Sequence, residues 1–276
     1  TWNNVTAGHD LLQADSRELF ENGYALVCLT PQKAGIEGLP PINQGLAGWD
    51  PERYPDLKIS SDDYSFDIFS QAADAVGPNR LKDALDPMSG LDVKRIIAQG
   101  ASQSAGRLAT FINAVAPINN PVDGFILQIY FGRGTPLEVG EAVVNIGTPE
   151  PGNPADRLQG TNLLRDDLNV PIFVVNSELE ASACFKVRQP DTDTMRFWEI
   201  AGTSHTSVQG RAIRQKILDR DKIVSSKSDP RINAIPISPV YDAAYHHMHL
   251  WLTDGIAPPV MKQIDFSGEP PQPVRN

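Results

Sequence analysis

Arg95-Ile96-Ile97-Ala98-Gln99-Gly100-Ala101-Ser102-Gln103-Ser104-Ala105-Gly106-Arg107-Leu108 is the stretch on which the reading of this chain turns. An apolar strand candidate runs straight into small-x-Ser-x-small, and a helical pattern begins on the far side. That is the layout of a nucleophile elbow, a strained strand-to-helix turn that leaves a serine hydroxyl exposed. Gly100 and Ser104 are small because such a turn brings backbone segments too close together for bulk. Ser104 stands where a second glycine is usual, so the pattern is a variant and its flanks must carry it. They do so through Ala105, Leu108, Phe111, Ile112 and Val115, which recur at helical spacing. An ordinary Gly/Ser turn would look much the same, and the downstream sequence separates the two.

Pro171 to Val175 is a short run rich in β-branched residues, of the kind buried in a parallel sheet. Two carboxylates, Glu178 and Glu180, follow it directly. Met195 to Ile200 is a further strand candidate and leads through Gly202, Thr203 and Ser204 to His205. Serine, acid and histidine thus come in an order known for catalytic triads, each just past its own strand. Parallel sheets gather active sites at those carboxyl ends. A serine hydroxyl becomes a nucleophile when an imidazole takes its proton, which assigns Ser102 and His205. A carboxylate then fixes the imidazole tautomer and stabilises the imidazolium. Glu180 is the preferred acid, because a loop curling toward the histidine should carry it a few residues past the strand. Glu178 is the alternative acid, or else a capping or ion-pairing residue. The oxyanion hole is expected from the backbone N–H of Gln103 and from the loop Thr6-Ala7-Gly8, the latter on topology alone.

The remaining chain alternates in the same way. Trp2 to Val5 reads as a strand, Asp15 to Glu21 as a helix and Tyr24 to Thr30 as a strand. Asp62 or Asp63 can cap a helix through Phe66, Ile68, Phe69 and Ala73. Gly124 to Tyr130 is a strand, and Tyr241, Ala244, Tyr245, Met248 and Leu252 mark an amphipathic closing helix. Such alternation predicts an α/β fold, a mainly parallel sheet flanked by helices, as one domain over residues 1–276. Residues 132–168 break the rhythm with Gly134, Pro136, Pro149, Pro151 and Pro154.

Five segments carry a resemblance: Trp2 to Gly8, Trp49 to Tyr54, Asp63 to Ala72, Gly100 to Asn113, and Arg188 to Asp193 joined to Trp198 through His205. Together they resemble a bacterial family of α/β-hydrolase-domain proteins, largely uncharacterised and regarded as serine esterases. The resemblance implies an α/β-hydrolase fold with Ser102 as nucleophile and His205 as base. In that fold an insertion at 132–168 lies over the active site, as a lid or pocket wall, with a disordered surface loop as the alternative. The acid is commonly Asp in such relatives, and Glu180 departs from that. Relatives also have more sequence before Trp2 and beyond Asn276, and a chain starting at Thr1 without Met fits a trimmed segment.

The formal net charge of −10 argues against nucleic acid or an anionic membrane as partner, since both call for basic patches. No run approaches the roughly 18 apolar residues of a membrane helix. Cys28 and Cys184 allow one disulfide, although Cys28 lies in an apolar run that suits a buried free thiol. They settle no compartment. Asp242, His246 and His249 fall on one helical face, but no second acidic cluster supports a metal there. The expected activity is therefore hydrolysis of a small-molecule carboxylic ester through an acyl-enzyme, with no cofactor and no metal. Acyl transfer, lactone or amide hydrolysis would use the same triad. A catalytically silent hydrolase fold acting as a binding module is the reading from another class.

Overall fold

Every residue of Gly124–Gln128 and Ile172–Ser177 is buried, as in strands covered on both faces. The computed structural model describes residues 1–2, 15–38, 45–83, 85–140, 160–220, 222 and 232–275. Its central sheet is parallel, in the order β1 (Ile97–Ala101), β2 (Gly124–Gln128), β3 (Ile172–Ser177) and β4 (Met195–Ile200). The register runs from Ile97 opposite Gly124 to Ala101 opposite Gln128, and from Ile172 opposite Met195 to Ser177 opposite Ile200. All four carboxyl ends therefore open on one side.

Side chains alternate across the sheet with the strand period of two. Phe125, Leu127, Val174 and Phe197 point into one core cluster, which α4 (Ser65–Val76) and α5 (Gln103–Thr110) cover. Ile126, Phe173, Val175 and Trp198 point into the other, covered by α8 (Ser238–Asp254). Removing each such large side chain from water contributes about 1.5–3 kcal/mol, which holds the helices to both faces. On α8 the buried residues are Tyr241, Ala244, Tyr245, Met248 and Trp251, close to the predicted stripe. Gly255 ends that helix in the left-handed conformation at φ 70°. The shorter helices are α1 (Arg17–Glu21), α2 (Lys33–Glu37) and α3 (Leu46–Trp49), with α6 (Glu178–Cys184) and α7 (Val208–Arg220) further on.

Several sequence expectations need correction. Of the strand expected over 24–30, Leu29 bridges Trp2 and Val27 O accepts from Thr1 N at 2.7 Å, while Ala25 and Leu26 face solvent. Trp2 bridges Gly100 on its other side, and residues 3–5 of its expected strand lie outside the described residues. The helix expected from Asp15 starts at Arg17, because Ser16 is its N-cap and accepts the Leu19 N–H at 3.2 Å. Neither Asp62 nor Asp63 caps α4. Ser61 caps the 3-10 turn Asp62–Tyr64 that precedes it. Asp62 instead accepts the Lys33 N–H at 2.7 Å, and Asp63 accepts the Gly140 N–H at 3.2 Å. Neither cysteine forms a disulfide: Cys184 is buried, and Cys28 is only half-buried.

The C-terminal segment runs along β4. Pro258 O accepts from Arg196 Nε at 2.8 Å, Pro259 O from Trp198 Nε1 at 2.9 Å, and Glu199 accepts the Ile264 N–H at 2.8 Å. Beyond it, β5 (Phe266–Ser267) and β6 (Gln272–Pro273) form a small antiparallel pair. Among the described residues no helix is long and apolar enough to cross a membrane.

Candidate active site

Ser102 lies between the end of β1 and the first residue of α5, at φ 58° and ψ −121°. A non-glycine residue held there is strained, and the surrounding packing must enforce it. The enforcement is visible. Ser102 N–H donates to Gln128 O at 3.0 Å, and Ser102 O accepts the Gly106 N–H at 3.2 Å. A Cβ on Gly100 would come 2.6 Å from Ser104 O, so the turn closes only over a glycine. Ser104 is buried beneath it.

The acid turn is built otherwise. Sequence reasoning expected a loop past β3, but α6 starts at Glu178 with Glu178 and Glu180 both in its first turn. Carboxylates are favourable there, next to unpaired backbone N–H groups and the positive end of the helix dipole. Glu180 is fully buried, and its Oε1 lies 2.7 Å from His205 Nδ1. Its Oε2 accepts from Ser177 Oγ. Ser177 was missed from the sequence, although Ser-x-x-Glu is a capping-box pattern that ties those two positions together. Glu178 does not meet His205. It accepts the Gly202 N–H at 2.9 Å and is gripped by Arg275. Partial burial works to raise the Glu178 carboxyl, but Arg275 and the Gly202 N–H outweigh it and hold the group below its ordinary value.

His205 stands five positions past β4, on the same side of the sheet, with its side chain 35% exposed. Its Nδ1 faces the carboxylate, leaving Nε2 as the atom that can take a proton from a nucleophile. Among the described residues no hydrogen bond joins Ser102 to His205. Phe131, also missed from the sequence, packs its ring 5.5 Å from the imidazole. It follows Ile129, a buried β-branched residue at φ 44°. Asn176 pins the intervening Tyr130, accepting its N–H at 2.8 Å and donating to its carbonyl at 3.0 Å.

Gln103 is the first residue of α5, directly after Ser102, so its backbone N–H lies at the helix start beside the serine. Thr6, Ala7 and Gly8 lie outside the described residues. Arg107 is a further residue that sequence reasoning passed over. Fully buried on α5, it donates to Asp62 O at 3.0 Å and to Pro136 O at 3.2 Å, with its guanidinium 4.1 Å from the Phe66 ring centroid. It thereby ties the elbow helix to the segment after β2. Of the expected lid, 141–159 lies outside the described residues. Its described flanks are anchored through Asn113, which donates to Leu163 O at 2.8 Å, and Thr110, which donates to Thr135 O at 2.7 Å.

Among the described residues no group of three His, Cys, Asp or Glu side chains can hold a metal. Asp242 accepts from Ser16 Oγ at 2.5 Å and from the Arg17 N–H at 3.2 Å, fastening α1 to α8. His246 faces Glu18 at 3.4 Å.

A family model described as alpha/beta hydrolase domain matches residues 1–276. No curated protein and no solved structure matches the chain. The expected fold class holds, and the four-stranded parallel sheet with helices on both faces is its core.

Proposed function

Because the chain belongs to the alpha/beta hydrolase domain family, we propose that it is a serine hydrolase cleaving a carboxylic ester through an acyl-enzyme. One observation carries the reading. A serine held on a strained strand-to-helix turn shares the carboxyl side of the sheet with an imidazole whose Nδ1 is 2.7 Å from a fully buried carboxylate. Structural carboxylates seldom lie so deep with only a hydroxyl and an imidazole as partners.

In this mechanism Ser102 Oγ attacks the ester carbonyl while His205 Nε2 takes its proton. Glu180 keeps the Nδ1 proton in place and stabilises the imidazolium. The Gln103 N–H donates to the oxyanion, with Thr6 and Ala7 as the second donors. His205 then returns its proton to the departing alkoxide. Water repeats the sequence in the other direction and frees Ser102. Phe131 lines the pocket beside His205. The substrate is a small ester, and the acidic chain takes neither nucleic acid nor membrane as partner. Acyl transfer to an alcohol, or lactone or amide hydrolysis, would use the same residues.

A fluorophosphonate probe tests the proposal, since it labels only an activated serine. Stoichiometric labelling of the chain, lost in Ser102→Ala, is expected together with hydrolysis of p-nitrophenyl acetate. A folded protein that the probe leaves unlabelled would overturn the proposal and favour a silent binding module.

A further inference from the structure

Glu178 and Glu180 leave β3 two residues apart, and both engage the turn that carries His205, at different atoms. Glu180 takes the ring at Nδ1. Glu178 takes the backbone, accepting the N–H of Gly202 three residues ahead of the histidine. Gly202 is at φ 74°, where the chain reverses out of β4. The same turn is closed by Thr203 Oγ1 on Ile200 O and by Asn233 Nδ2 on Gly202 O, each at 2.6 Å. It is a defined hook, and a carboxylate on α6 holds it.

That carboxylate is itself held. Arg275 reaches both oxygens of Glu178, Nη1 lying 2.8 Å from Oε2. Arg275 arrives at the end of the C-terminal segment, which is fixed to α6 where Ser182 Oγ donates to Pro271 O at 3.0 Å. It is also fixed by Phe266 against Phe185, ring centroids 5.6 Å apart. Three stretches therefore meet at Glu178: the exit of β3, the exit of β4 and the C-terminal strap.

The Arg275 side chain is 65% exposed, and an ion pair at such a rim contributes little to stability. Its geometric consequence is larger. The Glu180–His205 contact spans the gap between the β3 and β4 exits, and the Glu178–Gly202 bond crosses that same gap. A displacement of about 1 Å in a catalytic group can cost on the order of 100-fold in rate.

We propose that Glu178 is a positioning residue for His205: its carboxylate, forked by Arg275, clamps the Gly202 turn to the start of α6 and so sets the contact with Glu180. The clamp rests on the triad reading for its catalytic meaning, and its test separates the two.

The full chain is assayed as Glu178→Ala, Glu178→Gln and Arg275→Ala for kcat and KM on p-nitrophenyl acetate. In the Ser102→Ala background the low-field Nδ1 proton of His205 is followed by NMR, which needs no turnover. Glu178→Ala should lower kcat about 10-fold at unchanged KM, and should broaden the low-field resonance through exchange. Glu178→Gln, whose amide oxygen still accepts the Gly202 N–H, should recover most of both. Arg275→Ala should fall between. Wild-type kcat and an unaltered resonance in Glu178→Ala, with only the thermal midpoint lowered, would overturn the clamp. Should Glu178→Ala fail to fold, the exposed Arg275→Ala is measured by the same readouts, and wild-type values there would overturn the clamp equally. A protein without esterase activity whose resonance still broadens on losing Glu178 would keep the clamp and lose only the triad reading.

Discussion

Two carboxylates in this molecule, Asp86 and Glu180, are treated in opposite ways. Asp86, in the loop that leads into β1, is 4% exposed at its side chain and saturated with donors. Arg80 Nε reaches it at 2.6 Å, and the N–H groups of Met88 and Gly90 add bonds at 2.9 and 2.8 Å. The Arg80 guanidinium first, and those N–H groups with it, hold the Asp86 carboxyl well below the usual range. Glu180 is buried completely and has a serine hydroxyl and the His205 imidazole. A saturated charge locks a loop and has nothing left to offer. A carboxylate whose chief partner is an imidazole stabilises that ring most when the ring becomes cationic, which is the part the proposed mechanism gives to Glu180.

Mutation can break this contrast. The largest effect should come from Ser102→Ala, with a loss of at least about 1,000-fold in kcat and no loss in thermal midpoint. Substantial turnover by the purified variant would remove Ser102 from the mechanism. Next, Glu180→Gln should lower kcat by about 100- to 10,000-fold, because an amide cannot hold the required imidazole tautomer. Its thermal midpoint should stay close to that of the wild type. If Glu180→Gln instead unfolded the protein at unchanged specific activity, the two carboxylates would be alike after all.

Gly100→Ala should lower both readouts together, since the added Cβ meets Ser104 backbone at 2.6 Å and the elbow must open. Circular dichroism melts alongside the esterase assay would show whether they move as one. Asp86→Asn should do the reverse of Glu180→Gln, lowering the thermal midpoint while kcat on the model ester stays unchanged. Its pH dependence follows from the depressed folded-state pKa. The stabilisation is fully present above the unfolded carboxyl value near 3.8 and is lost as pH falls through the lower folded value. The gap in midpoint between wild type and Asp86→Asn should thus stay flat from about pH 5 to 8 and close below about pH 4. A gap that closed near neutral pH would mean that another group sets it.

The parts of this protein legible in its sequence are those decided within a few residues. Alternation of apolar runs with helical stripes predicts the parallel sheet, because burial on both faces leaves near-continuous hydrophobic strands such as Phe125 to Leu127 and Phe173 to Val175. The elbow is legible because its sterics are local: Gly100 and Ser104 belong to the same turn as Ser102. The surroundings of the two glutamates are another matter. On a helix, positions 178 and 180 lie about 200° apart around the axis, so they face nearly opposite ways. One enters the interior to meet His205 and the other remains at the rim; a loop reading prefers Glu180 for the histidine, but it cannot supply the burial of Glu180 or name Arg275 as the partner of Glu178. Asp242 and His246 behave alike in this respect. Their helical spacing is plain in the sequence, but α1, brought in from 225 residues away, fixes what Asp242 bonds to. Local sterics and periodicity are written in neighbouring residues, whereas the partner of a carboxylate depends on which distant backbone the packed helices bring within about 3 Å, and only the tertiary structure decides that.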